Sequence, residues 1–342
     1  MHIRGYSLAR PVVPAVAALA LLAVAGGSTP VAAQSVRWDM SMEDRSNSLP
    51  GEGATAFAND VAKLSNGEIV ITVHHAGALG FKNKDHLNAV RDGVLPLAQS
   101  LAGTFSGQEP VFLLSSLPFV ARSLEEAKTL YDVARPAYEA ALARNGQVLL
   151  YSSPFPPTGI WAKKSLTSAA DLSGLKIRTF DVNGTMMFKD LGAAPLQVSF
   201  SDVVPQLSTG NLDAVLTSAD GGRSLKFWEF LQYFNNVGYA FPLNITAVGK
   251  DAFEALTPAQ QKSVKDASAM AEERDWKAVT NWEAKNFAEL ASHKVEIVAT
   301  FPEAFFEALG KAREPVVKDW LDKTGEMGRK ILDEFAAKVG RQ

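Results

Sequence analysis

Asp171-Leu-Ser-Gly-Leu-Lys-Ile-Arg-Thr-Phe180 opens with a short polar loop closed by Gly174 and runs on as a strand from Leu175 to Phe180. Leu175 and Ile177 face one way along it, Lys176 and Arg178 the other. An arginine on a rigid strand presents a planar fork of donors that matches a carboxylate in two parallel charge-assisted bonds, which a lysine point charge cannot do. On these ten residues alone a solvated surface arginine is the commoner fate, so the surroundings decide.

Upstream, Ser153-Pro-Phe-Pro-Pro-Thr-Gly-Ile-Trp161 packs three prolines into four residues. Repeated fixing of φ makes a stiff, extended crossing between domains rather than a flexible linker. Phe155 and Trp161 are candidates for an aromatic wall at such a crossing, because ligand sites gather at domain interfaces; packing of the hinge is the alternative. The 342-residue chain starts with Arg4 and Arg10, an apolar run from Pro11 to Gly26 and the small residues Val31-Ala-Ala33. That is an export signal over residues 1–33, too short and too interrupted to span a membrane well. Its removal takes away two arginines and no acid, so a formal charge of −3 becomes −5 over the remaining 309 residues. Mild acidity argues against nucleic acid as a partner. The length exceeds what one core usually holds, so two domains are expected. With no cysteine, neither a disulfide nor a thiolate metal site is available.

Between these landmarks strands and helices alternate as in an α/β sheet. Ser35–Ser41 reads as a first strand, Asp44–Ser48 as a polar turn, Gly53–Ser65 as a helix with an apolar stripe, and Ile69–Val73 as a second strand. Val94–Leu101 is a third strand, with Gln99 near its C-terminal end, where open α/β sheets collect ligand groups. Ser201–Ser208 reads as a helix capped by Ser199 or Ser201, and Asp213–Ser218 as a strand ending at Ser218. Phe241–Val248 returns the chain across a second crossing, where the amide of Asn244 can both donate and accept. From Thr257, with Pro258 and Gln260, a capping box opens a helix free of proline and glycine past His293. Some 35 residues at about 1.5 Å each give roughly 50 Å, longer than one lobe is wide, so this helix must bridge two. Gly51-Glu-Gly-Ala-Thr-Ala56 meets a loose dinucleotide pattern but lacks the acidic residue after the next strand, so no nucleotide cofactor is expected. His74, His75 and His86 match no metal motif, and no metal is expected.

Lys163-Lys-Ser-Leu-Thr-Ser-Ala-Ala-Asp171 through Arg178, then Leu191-Gly-Ala-Ala-Pro195 and Ser208-Thr-Gly-Asn-Leu-Asp213, resembles the substrate-binding proteins of tripartite ATP-independent periplasmic (TRAP) transporters. The likeness covers most of the exported chain. It implies a two-lobed periplasmic binding-protein fold of α/β class with an interlobe cleft and a long bridging helix. Lobe I is expected over 34–155 and 244–283, lobe II over 156–243 and 284–342. The implied function is capture of an organic acid anion in the periplasm and delivery to TRAP membrane subunits by a monomeric, non-enzymatic protein. Arg178 is implied as the carboxylate clamp, with Gln99, Ser218 and Asn244 orienting polar groups and Phe155 and Trp161 covering the apolar part. The small Ser218 and the two aromatics point to an aromatic or otherwise bulky monocarboxylate. A sensor module feeding a membrane receptor would use the same cleft. A secreted hydrolase is the weaker alternative, since no Gly-x-Ser-x-Gly elbow and no metal-ligand set is present.

Overall fold

The computed structural model describes residues 35–341; the expected export signal lies outside them. Eleven strands form two sheets: β1 (Val36–Ser41), β2 (Ile69–His74), β3 (Leu97–Leu101), β4 (Gln147–Pro154), β5 (Thr158–Ala162), β6 (Lys176–Thr179), β7 (Ala194–Gln197), β8 (Ala214–Ser218), β9 (Tyr233–Asn235), β10 (Leu243–Gly249) and β11 (Glu296–Val298). The first sheet has the order β2-β1-β3-β10-β4, and the second β11-β9-β5-β8-β6-β7. In the first, β1 runs parallel to β2 and β3, while β10 is antiparallel to β3 and β4. In the second, β6 is parallel to β7 and β8, and β5 is antiparallel to β8 and β9. Each sheet carries one lobe.

The helices are α1 (Leu49–Leu64), α2 (Asn83–Arg91), α3 (Leu124–Arg144), α4 (Val182–Asp190), α5 (Val203–Ser208), α6 (Ala219–Ser224), α7 (Lys250–Glu254), α8 (Pro258–Ser292) and α9 (Glu303–Lys338). The start of α1 follows from Ser48, whose hydroxyl accepts from the Gly51 amide at 3.2 Å, with Pro50 in the first turn. Its buried stripe is Ala54, Phe57, Ala58 and Val61. The third strand starts at Leu97 rather than Val94: Gly93 takes φ +71° and Val94 is 63 % exposed, so the chain is still turning there.

Three segments cross between the sheets. Phe155–Pro157 joins β4 to β5, and residues 236–242 join β9 to β10. These two are bonded to each other, Phe155 N to Pro242 O and Thr158 N to Ala240 O, each at 2.9 Å. The third is α8, 35 residues long and closed at its start by the predicted capping box: Gln260 N donates to Thr257 Oγ1 at 3.3 Å, and Thr257 N to Gln260 Oε1 at 3.0 Å. It packs on α1 and β4 in the first lobe and on α6 and β11 in the second. The C-terminal helix α9 departs from its expected place in the second lobe alone. It lies against α3 as well as α4, and its Trp320 donates to the Pro110 carbonyl at 2.9 Å. The largest apolar core accordingly runs through both lobes, from Phe112 and Tyr138 to Phe188 and Trp320. Among the described residues no helix is long and apolar enough to cross a membrane.

Candidate functional site

The lobes meet along a cleft whose inner end is a cavity lined by Asp44, Asn83, Leu101, Phe155, Thr158, Arg178, Phe180, Phe200, Thr217, Ser218, Gly221 and Pro242. Most of the wall comes from strand ends and crossings, with Asn83 from the start of α2, Gly221 from α6 and Phe200 from the short turn before α5. Larger hollows exist on the outer faces. The one floored by Val148, Leu149 and Leu150 is shallow and ion-paired, with Arg135 2.7 Å from Glu272, so it offers no unspent charge of comparable burial.

Arg178 is 3 % exposed, on β6, which lies between β8 and the edge strand β7 in the second sheet. Its Nε donates to the Val198 carbonyl at 2.9 Å and its Nη1 to the Leu216 carbonyl at 3.2 Å. A guanidinium has five N–H donors, so three remain for a ligand, one on Nη1 and both on Nη2. The rings of Phe180 and Phe200 each lie 5.8 Å from the guanidinium carbon. Burial pushes its pKa down to about 10, against the pull of Glu43, Asp181 and Asp44. It therefore stays charged at neutral pH, and among the described residues no carboxylate lies within 4.0 Å of it. Such a cation is costly to bury without a partner anion.

Asp44, in the turn after β1, faces the same cavity. Burial raises its carboxyl to about 7; the Asn244 hydrogen bond opposes that shift, and Glu43 and Asp220 add to it. Asn244 Nδ2 donates to Asp44 Oδ2 at 2.7 Å, so this amide positions a cavity residue from behind and does not itself line the wall. Ser218 does line it, and its hydroxyl accepts from the Gly221 amide at 3.1 Å as the cap of α6.

Of the six candidate residues, Arg178, Phe155 and Ser218 are thus brought together, and Asn244 stands one shell back. Gln99 and Trp161 are not brought to the cavity. Gln99 is fully buried inside the first sheet, donating to Tyr151 Oη at 3.2 Å and Thr246 Oγ1 at 3.1 Å. Trp161 lies in the second lobe's core against Phe227 and Phe234, and its Nε1 donates to the Ser218 carbonyl at 3.1 Å. The period-two pattern of β5 explains the miss, because all five of its residues are buried and the ring has a core to fill on either face. The aromatic wall consists of Phe155, Phe180 and Phe200 instead.

The sequence reading also passed over Glu43, Asp44 and Phe200. Glu43 and Asp44 directly follow the first strand, and the rule that ligands sit beyond strand C-termini applies to β1 as much as to β3. Ser199 holds the N-cap position of the short turn Phe200–Asp202 that leads into α5, but its side chain makes no capping bond, and Ser201 is not a cap. Ser201 Oγ instead donates across the cleft to Glu43 Oε1 at 2.9 Å. Three more contacts cross with it: the Lys82–Asp202 ion pair, Leu49 N to Asp220 Oδ2 at 3.1 Å, and the Arg223 guanidinium to the Asn47 carbonyl. The lobes are therefore closed on each other around the cavity. The histidines serve structure: His86, pushed down to about 4 by burial, sits between Ser100 Oγ at 2.7 Å and Ser41 Oγ at 3.0 Å, and His74 pairs with Asp39 at 2.7 Å.

Residues 40–324 match the model of the DctP family, bacterial extracellular solute-binding protein family 7. The chain belongs to that family. A Bordetella pertussis extracytoplasmic solute receptor, DctP6, crystallised as a binder of pyroglutamic acid, is 31 % identical and superposes with a TM-score of 0.85, covering 88 % of this chain and 100 % of that one. A marine-metagenome TRAP solute-binding protein specific for pyroglutamate is 28 % identical with the same TM-score, covering 89 % and 99 %. The 2,3-diketo-L-gulonate-binding periplasmic protein YiaO of Escherichia coli is 28 % identical over 297 residues, 84 % of this chain and 89 % of that protein. This DctP-family chain is therefore a TRAP-type solute-binding protein, with the two-lobed fold expected of one.

Proposed function

We propose that this protein captures a compact, singly charged organic acid in the periplasm, holds it between the closed lobes and delivers it unchanged to TRAP membrane subunits. The observation that carries this reading is buried Arg178, with Nη2 and one Nη1 proton unspent, in a closed aromatic cavity that also holds Asp44. The ligand carboxylate takes those donors in a bidentate pair. Phe155, Phe180 and Phe200 cover an apolar body, and Asp44 accepts from an N–H or O–H on the ligand. Pyroglutamate has these parts, and two receptors similar to this chain bind it. An aromatic or bulky acid is less well supported, since that expectation leaned on Trp161 as a wall and the ring is buried elsewhere.

The test is calorimetry and thermal denaturation with pyroglutamate, lactate, benzoate and succinate. Pyroglutamate should bind tightly and raise Tm, because a ligand at about 100 times its Kd stabilises the native state by about 2.7 kcal/mol. A shift with benzoate and none with pyroglutamate would reverse the choice of ligand. No shift with any carboxylic acid would overturn the site itself.

A further inference from the structure

Glu43 and Asp44 are consecutive residues that flank one cation from two compartments. Asp44 and Arg178 line the inner cavity. Glu43 and Arg178 line an outer vestibule on the other side of the Phe180 and Phe200 rings. Glu43 is 2 % exposed, and its carboxylate accepts from three donors: Asn83 N at 2.8 Å, Ser201 Oγ at 2.9 Å and Ser201 N at 3.4 Å. A group surrounded by donors in this way acts as an acceptor-only carboxylate.

Charge counting then decides what the cleft tolerates. Among the described residues Arg178 is the one cationic side chain lining the inner cavity, and Glu43 already sets a buried negative charge in its field. With Asp44 ionised as well as Glu43, a monoanion on Arg178 leaves two surplus negative charges in the closed cleft. A dianion leaves three, in a place where interactions are weakly screened and unpaired charge is costly. The second cation a dicarboxylate would need is Lys84, which stands in the same vestibule as Glu43 but is exposed and screened by water where Glu43 is buried, so it offsets little of Glu43's field.

We propose that Glu43 is a specificity-determining residue that rejects doubly charged acids by repulsion, restricting the receptor to acids of single charge. Discrimination of this kind comes from a group placed against the wrong ligand rather than from an extra contact to the right one. The proposal rests on the Arg178 clamp described above, but not on pyroglutamate being the ligand.

The experiment compares acids of one shape and two charges, glutarate with glutaramate and succinate with succinamate, alongside pyroglutamate. Binding is measured by calorimetry to wild type, Glu43→Gln and Ser201→Ala, with circular dichroism and Tm as the check on folding. In wild type the amide-capped acid should bind at least 100-fold more tightly than its dicarboxylate. Glu43→Gln keeps the shape and a bond to Ser201 while removing the charge, so the ratio should fall at least tenfold. Ser201→Ala loosens the cross-lobe bond and leaves the charge, so both acids should weaken together with the ratio unmoved. A wild-type ratio near one, a ratio unchanged in Glu43→Gln, or the same fall in Ser201→Ala each overturns the proposal. If pyroglutamate fails but the ratios behave as stated, the ligand is wrong and Glu43's role stands; if no singly charged acid binds, both readings fall.

Discussion

Asn244 Nδ2 stands 2.7 Å from Asp44 Oδ2, and both residues are buried. The amide fixes one oxygen of a carboxyl that burial has raised to about 7, leaving the other oxygen for the cavity. A ligand N–H needs that oxygen ionised. Pyroglutamate should therefore bind about tenfold more weakly at pH 6 than at pH 8, since roughly nine-tenths of a group with a pKa near 7 is protonated at pH 6. In the empty protein the sign is opposite. A carboxyl raised above its unfolded value of 3.8 contributes stability that is present below that value and lost as pH rises through about 7. Calorimetry from pH 5.5 to 8.5 checks the binding slope. Asp44→Asn should bind more weakly throughout with a flat profile, and a wild-type profile equally flat would remove Asp44 from the ligand.

Replacing Arg178 by lysine tests the clamp. The ammonium cannot form the bidentate pair, so binding should weaken by roughly 1.5–3 kcal/mol. The substitution also reaches the fold. Nε and Nη1 satisfy the carbonyls of Val198 and Leu216, and a lysine can serve one of them at best. Leaving a buried acceptor unpaired costs about 1–3 kcal/mol, so Tm should fall along with affinity. Calorimetry and denaturation on the same samples separate the two effects; an unchanged Kd would mean that the carboxylate sits elsewhere.

The fold was legible where local rules are strong and no alternative competes. Thr257, Pro258 and Gln260 announce a helix start, nothing breaks the helix for 35 residues, and its length alone requires two lobes to cross. Arg178 was legible through the likeness of its surroundings to the TRAP family, since the strand Lys176–Thr179 by itself carries two cations and reads as readily as a solvated face. Trp161 was misplaced because sequence shows that a ring needs burial but not against what, and the core beside Phe227 and Phe234 competes with the cavity on equal terms. Asp44 and Glu43 were passed over for the opposite reason. An acidic pair in a turn reads as solvated, and only the second lobe, closing from residues 180–220, buries it.

Trp161 should behave as a structural residue. Trp161→Phe gives up the bond to the Ser218 carbonyl and part of a fully buried ring, a cost of about 1–3 kcal/mol in stability. Gly222→Ala attacks the same contact from the other side, because a Cβ there would lie 2.2 Å from the indole. Both should lower Tm by more than they change Kd. A large loss of affinity with normal Tm would return Trp161 to the ligand wall.

Closure of the lobes should be reversible on ligand binding because only a few polar contacts, Arg223 to the Asn47 carbonyl among them, cross at the mouth of the cleft, apart from the apolar core that runs through both lobes. Ser201 to Glu43 and Leu49 to Asp220 are charge-assisted hydrogen bonds worth about 1.5–3 kcal/mol each. Lys82–Asp202 joins two partly exposed side chains and adds at most about 1 kcal/mol. Opening regains water for all of them, so the net difference between open and closed is smaller than their sum, and a ligand that engages Arg178 in the closed form alone can tip the balance. The two bonded crossings and α8 keep each lobe's frame intact while this happens. The radius of gyration in solution scattering should therefore fall on saturation with ligand. Lys82→Ala should leave that fall intact, and Glu43→Ala, which removes three acceptor contacts at once, should demand more ligand to reach it. Scattering curves that superimpose with and without a ligand shown to bind would mean that the lobes are held closed throughout and that solute enters by another route.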